Sequence, residues 1–251
     1  GSLELDSWCV IDICGEEEKV TDLLQGQVTS DINKISVNEF QLSSICNHKG
    51  LVMADFIINR SSKGFSFIVK NSISSTLLSE LAPFAKFNSV TFEENSSKVI
   101  GMISNENEKL KEFAKNDHFS TYVYISNKET ESNSCISIEN WEAGNKILGN
   151  YFLESNDIGK FRPLELNYDK LRVSFDKGCY RGQEIVARMK YLGIDRRSFL
   201  TFITTSEYDA NENIKIVGKQ IEIDDKLVFN AIVKKDLIPD IQKYPQVLTI
   251  I

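Results

Sequence analysis

Between Phe40 and Lys70 the chain has three strand-like runs, FQLSSIC, LVMADFIINR and FSFIVK, separated only by NHKG and SSKG. Links this short, each ending in glycine, join antiparallel neighbours. The segments around them extend the pattern. WCVIDICG (8–15) alternates around apolar residues and is predicted to be a strand. EEEKVTDLLQG (16–26), with three acids in its first turn and Gly26 at its end, is predicted to be a short helix. SISSTLLSELAPF (72–84) and NEKLKEFAK (107–115) read as helices, and SVTFEE, KVIGMIS and STYVYIS as strands. This order predicts an antiparallel-rich α+β fold rather than a doubly wound sheet. The polar run NKETESNSCIS (127–137) reads as a surface loop or hairpin tip.

After about Ser198 only short strands follow: FLTFITT, IKIVGKQIEI, KLVFNAIVKK and QVLTII. A small β-barrel or sandwich is expected there, giving an α+β domain over residues 3–197 and a C-terminal β domain over 198–251. Gly1-Ser2 reads as a tag remnant and is left out of the fold expectation.

Composition narrows the function classes. No run approaches the ~18 apolar residues of a membrane helix, and no basic-then-apolar leader opens the chain, so a cytoplasmic protein without a membrane partner is expected. The five cysteines (Cys9, Cys14, Cys46, Cys135, Cys179) are scattered and form no CxxC pair, which speaks for reduced thiols and against a zinc ribbon. With two histidines, a histidine-rich metal site is excluded, and no metal is expected. Net charge is −7, against a dedicated nucleic-acid binder. From Lys160 to Arg197, however, ten basic residues face five acidic ones, so this segment is +5 and the remainder −12. Such a segment is either a surface for a small anionic ligand or acidic partner, or a solvated face.

Within that segment lies FDKGCYRGQEIVARMKYLG (175–193). Gly178 and Gly182 permit positive φ or close backbone approach. Beyond Gly182 the residues Ile185, Val186, Met189 and Leu192 share one helical face, and Glu184 and Arg188 are spaced to pair. Cys179 is therefore expected in a turn ahead of a helix, flanked by Lys177 and Arg181, where positive charge favours thiolate. A buried structural cysteine is the alternative.

The same stretch closely resembles the hallmark of the YgfZ family, folate-binding proteins related to the aminomethyltransferase (T-protein) of the glycine cleavage system. That hallmark, lysine-x-cysteine-tyrosine-x-glycine-glutamine-glutamate, is matched by Lys177, Cys179, Tyr180, Gly182, Gln183 and Glu184. LLQGQVTSDI (23–32) and NHKGLVMADFIINR (47–60) are similar to two further family blocks, and Asp55 falls where T-proteins keep an aspartate near the reactive part of the folate. Read alone, Asp55 is either a partnered buried carboxylate or an edge-strand acid facing water. The chain departs from the family where Leu164 replaces a glutamine, where Leu171-Arg172 replace a double glycine, and where AGNKIL lacks the usual proline.

The resemblance implies a T-protein-like fold of two intertwined ferredoxin-like units around a central channel, then a small C-terminal barrel. It implies tetrahydrofolate, or a one-carbon-substituted derivative, in the channel, and iron–sulfur client or assembly proteins as partners. Cys179, Lys177 and Asp55 would carry chemistry. Gln183, Glu184, Arg188, Lys190, Tyr180 and Asn167 would bind the cofactor, with Arg188 and Lys190 on its glutamate tail, although Glu184 also reads as a simple helix-start acid. The function implied is support for assembly or repair of iron–sulfur enzymes. A folate-dependent one-carbon transferase and a scaffold without ligand are the alternatives.

Overall fold

A computed structural model of the chain describes residues 1–105, 113–127, 135–193, 196–208 and 211–251. Its elements run β1 (Ser2–Glu4), β2 (Trp8–Cys14), α1 (Glu17–Gln27), β3 (Glu39–Cys46), β4 (Val52–Ser61), β5 (Gly64–Lys70), α2 (Asn71–Phe87), β6 (Thr91–Asn95), β7 (Lys98–Ser104), β8 (Ala114–Lys115), β9 (Ser120–Ser126), α3 (Ile138–Ile147), α4 (Tyr168–Leu171), α5 (Gln183–Leu192), β10 (Arg197–Thr204), β11 (Ile214–Ile223), β12 (Lys226–Lys234), α6 (Ile238–Ile241) and β13 (Val247–Ile250).

The predicted hairpins lie at the centre. β3, β4 and β5 pair antiparallel and continue through β2 to β6 in the order β3-β4-β5-β2-β6. Both faces of this sheet are buried, which is why its strands are almost continuously apolar. One face carries Ile11, Ile13, Phe56, Ile58 and Phe67 against Leu23 and Leu24 of α1 and Ile73, Leu77 and Leu81 of α2. The other carries Val10, Leu42, Ile57 and Ile68 against Val99 and Val123 of a second sheet, ordered β1-β7-β9-β8. Asp55 and Ser44 pair across β3 and β4 two residues from the Leu42–Ile57 pair, so they belong to this second face.

α3, which the sequence reading did not anticipate, covers the second sheet. Its Trp141 stacks on Phe152 at 5.7 Å and meets Trp8 edge-on at 6.0 Å. Gly101 of β7 makes room for that indole: a Cβ there would lie 2.6 Å from Trp141 Nε1. The helix expected over 107–115 falls largely outside the described residues, and its last two residues, Ala114 and Lys115, are a strand paired with β9. Most of the expected 127–137 loop also lies outside the described residues. Ser2, set aside in the sequence reading, pairs with Met102.

The C-terminal strands form a sheet ordered β11-β12-β10-β13, with β11 and β13 at its edges. Among the described residues no sheet closes, so the expected barrel is replaced by an open sheet. The reason lies in its coverings. Phe202, Phe229, Ala231 and Val233 on one face pack with Tyr208 and with Ile241 of α6. On the other, Val228 meets Ala143 of α3, while Ile232 and Val217 join the main core. Thr201 and Asn230 donate to the Lys146 carbonyl in the last turn of α3, fixing the helix end to the sheet. With both faces covered, the sheet has no need to curl onto itself.

Replacing Gly101 by alanine pushes a methyl group into the Trp141 ring. A loss of about 1–3 kcal/mol in unfolding free energy is expected from chemical denaturation.

Candidate functional site

The hallmark stretch folds into a turn whose side chains from Lys177 to Gln183, with one exception, are occupied in holding it. Lys177 is buried, and its ammonium donates to the carbonyls of Val28 (2.7 Å) and Ser30 (2.8 Å), just after α1. Burial holds its pKa down to about 8. Tyr180 is buried beneath the turn, 5.1 Å from the Lys177 ammonium, and its amide donates to Gln183 Oε1. The Arg181 amide donates to the Gly26 carbonyl, and its guanidinium pairs with Glu80 at 2.9 Å. Gly182 precedes α5 at φ +84°, and a Cβ there would lie 2.5 Å from the Asn47 carbonyl and 3.1 Å from Cys46 Cβ. No other residue type fits so close to the β3–β4 turn. The exception is Cys179. It is a free thiol exposed to solvent between buried Lys177 and Tyr180. Cys46, beneath the turn, is the opposite case: burial pushes its thiol up to about 12.

Asp55 anchors a second cluster, inside the molecule. Its Oδ2 accepts from the Leu153 amide (2.9 Å) and the Tyr168 hydroxyl (2.8 Å), and lies 3.7 Å from Arg172 Nη2. Arg172 is 1% exposed. Its guanidinium donates to the carbonyls of Ser43, Phe56 and Tyr151 and to Asn150 Oδ1, and lies over the rings of Phe152 (4.9 Å) and Tyr168 (4.6 Å). Burial and the Asp55 charge both raise the Tyr168 pKa, so its hydroxyl stays a donor. Of the two readings of Asp55, the partnered buried carboxylate is the one observed.

The remaining predicted residues are elsewhere. Glu184 and Arg188 pair with each other at 2.9 Å on the exposed side of α5. Lys190 pairs with Asp169 at 3.2 Å and lies over Phe175. Asn167, at φ +63°, donates to the Gly149 carbonyl. The +5 segment is therefore partly compensated: Arg172 and Lys177 are interior, and Arg181, Arg188 and Lys190 each have an acidic partner.

No protein-family model matches the chain. Curated relatives do. The tRNA-modifying protein YgfZ of Buchnera aphidicola is 28% identical over 242 residues, covering 84% of this chain and 75% of its own. Its namesake in Escherichia coli is 25% identical over 284 residues, covering 95% and 86%. The resemblance to the YgfZ family holds. Among solved structures, the glycine cleavage system aminomethyltransferase T of Bartonella henselae matches with a TM-score of 0.67 at 9% identity, over 93% of this chain and 78% of that one. The fold is thus that of T-protein.

The hallmark turn and the Asp55 cluster are joined through Thr29 and Ser30, which bond Ser44, Ser43 and the Arg172 carbonyl, and none of the predicted cofactor residues lines the clefts at Trp141, Gln220, Asn211, Phe199 or Phe119. Asp55 is answered by this chain's own cation, Arg172. The sequence reading noted Arg172 only as a departure from the family's double glycine and missed what the side chain does. Its partners come from residues 43 to 56 and 150 to 168, and no local pattern announces them.

Arg172→Met leaves Asp55 without its cation and four buried acceptors short of a donor. An unfolding free energy lower by about 3–5 kcal/mol is expected by denaturant titration.

Proposed function

We propose that this chain is a YgfZ-type factor that supports assembly or repair of iron–sulfur enzymes by presenting the Cys179 thiol on a T-protein-like body. One observation carries the reading. From Lys177 to Gln183 every side chain but one is packed or paired in holding the turn, and Cys179 is the one left exposed. Because both flanking cations are held by other partners, the turn serves presentation rather than a local basic pocket. One thiol supplies one of the four ligands an iron–sulfur cluster usually takes. Cys179 would therefore act on a partner's cluster or thiol, with the client supplying the other ligands. Acting through such enzymes, rather than by gripping RNA, reconciles the relatives' tRNA-modifying name with a net charge of −7.

A cytoplasmic location belongs to the same reading and is supported by the five free cysteines. No helix among the described residues is long and apolar enough to cross a membrane. Tetrahydrofolate binding rests on the fold and the sequence resemblance. The alternative of a body that has lost its ligand is favoured by one specific observation, Arg172 in place of the family's small residues beside Asp55.

Cys179→Ala is expected to abolish rescue of iron–sulfur enzyme activity in a cell lacking its own copy. Its unfolding free energy should stay within about 0.5 kcal/mol of the parent, as for an exposed side chain. Full rescue by the variant would remove the thiol from the function. Calorimetric titration with tetrahydrofolate separates the two views of the ligand. Saturable one-to-one heat supports the folate part, and its absence in a folded sample leaves thiol presentation on a ligand-free body.

A further inference from the structure

Away from the Cys179 turn, the start of β2, the end of β5 and the last turns of α3 enclose a cleft of about 40 Å³. Trp8, Trp141 and Phe152 wall it, and Lys70, Asn145 and Lys146 also line it. Lys146 is 6% exposed. Its carbonyl is fixed by Thr201 and Asn230, yet its ammonium makes no hydrogen bond or ion pair among the described residues. The contact recorded for it is the Tyr151 ring, 5.3 Å away. With its side chain largely buried and no protein partner for the ammonium among the described residues, the charge of Lys146 is only partly compensated. Around it, Glu154 and Glu142 favour its charge and Lys70 and Lys219 oppose it. Burial outweighs them all and holds its pKa down to about 8. Desolvation together with a neighbouring cation is the combination that frees a lysine amine to act as a nucleophile.

We propose that Lys146 is a nucleophilic amine and that this cleft takes a small aldehyde or ketone, held as an imine. The space suits a ligand of a few heavy atoms, since a single water needs roughly 10–15 Å³ on the same measure. The amine lone pair adds to the carbonyl carbon, and the carbonyl oxygen takes up a proton to give a carbinolamine. That oxygen then leaves as water with the second amine hydrogen, and a C=N bond remains. No oxidant or reductant is consumed. Glu142 and Glu154 line the cleft and bring carboxylates to it for these proton movements. The site is independent of Cys179 and uses none of the residues that hold the hallmark turn.

The test is reductive trapping on the full chain. The protein is treated with acetaldehyde and sodium cyanoborohydride at pH 7, and ethylated lysines are mapped by mass spectrometry over time. Lys146 is expected to be labelled at least about tenfold faster than exposed Lys49 and Lys86, because an amine with a pKa near 8 is unprotonated in a far larger fraction. Its rate should rise through about pH 8 and then level off. Lys70→Gln removes an opposing cation and is expected to slow labelling of Lys146 several-fold in a sample shown by circular dichroism to be folded. Labelling of Lys146 no faster than Lys49 and Lys86, or tracking them across pH, overturns the proposal.

Discussion

A guanidinium taken wholly out of water needs partners brought to it from the protein, and at Arg172 both terminal nitrogens are answered while Nε has no partner. Its partners are carbonyls of β3 and β4, the segment from Asn150 to Phe152, and the ring of Tyr168 in α4. Asp55 adds the balancing charge and holds the Leu153 amide and the Tyr168 hydroxyl on the same oxygen. Four segments distant in sequence thus converge on one ion pair. The order of the interior follows from it: β3 and β4 keep their register at Ser44 and Asp55, and the chain after α3 is drawn against the central sheet. A pair so enclosed contributes less to net stability than to the choice of one arrangement over others.

The Cys179 turn is arranged on the opposite principle. There Lys177 and Tyr180 are buried and Cys179 is exposed. Lys177 ties the turn to the end of α1, Gly182 lets it approach the β3–β4 turn, and Tyr180 fills the space beneath. Rigid support under an exposed side chain is what a group needs if it must meet a partner in a fixed orientation.

Much of the fold was legible because it is local. Turns of four residues between apolar runs dictate antiparallel hairpins, and the glycine before α5 marks its start. The hallmark match from Lys177 to Glu184 was equally readable, being a contiguous string. What escaped depends on partners far apart in the chain. α3 has few apolar residues, Ile138, Trp141, Ala143 and Ile147, so its periodicity is faint. Arg172 reads as one more surface cation until the carbonyls of Ser43 and Phe56 are brought to it. Four short strands look the same in sequence whether their sheet closes or has its faces covered by α3 and α6. The basic run from Lys160 to Arg197 misleads as a surface, because a string of residues does not register that Glu80 lies beside Arg181 or that Lys177 points inward.

The ring cluster over α3 has one further consequence. The chain contains two tryptophans, Trp8 and Trp141, and both belong to this cluster, 6.0 Å apart. Indole emission from the folded protein therefore originates at a single locality, where β2, α3 and the segment after it meet. An optical signal that in most proteins averages over distant environments is here a report on one of them.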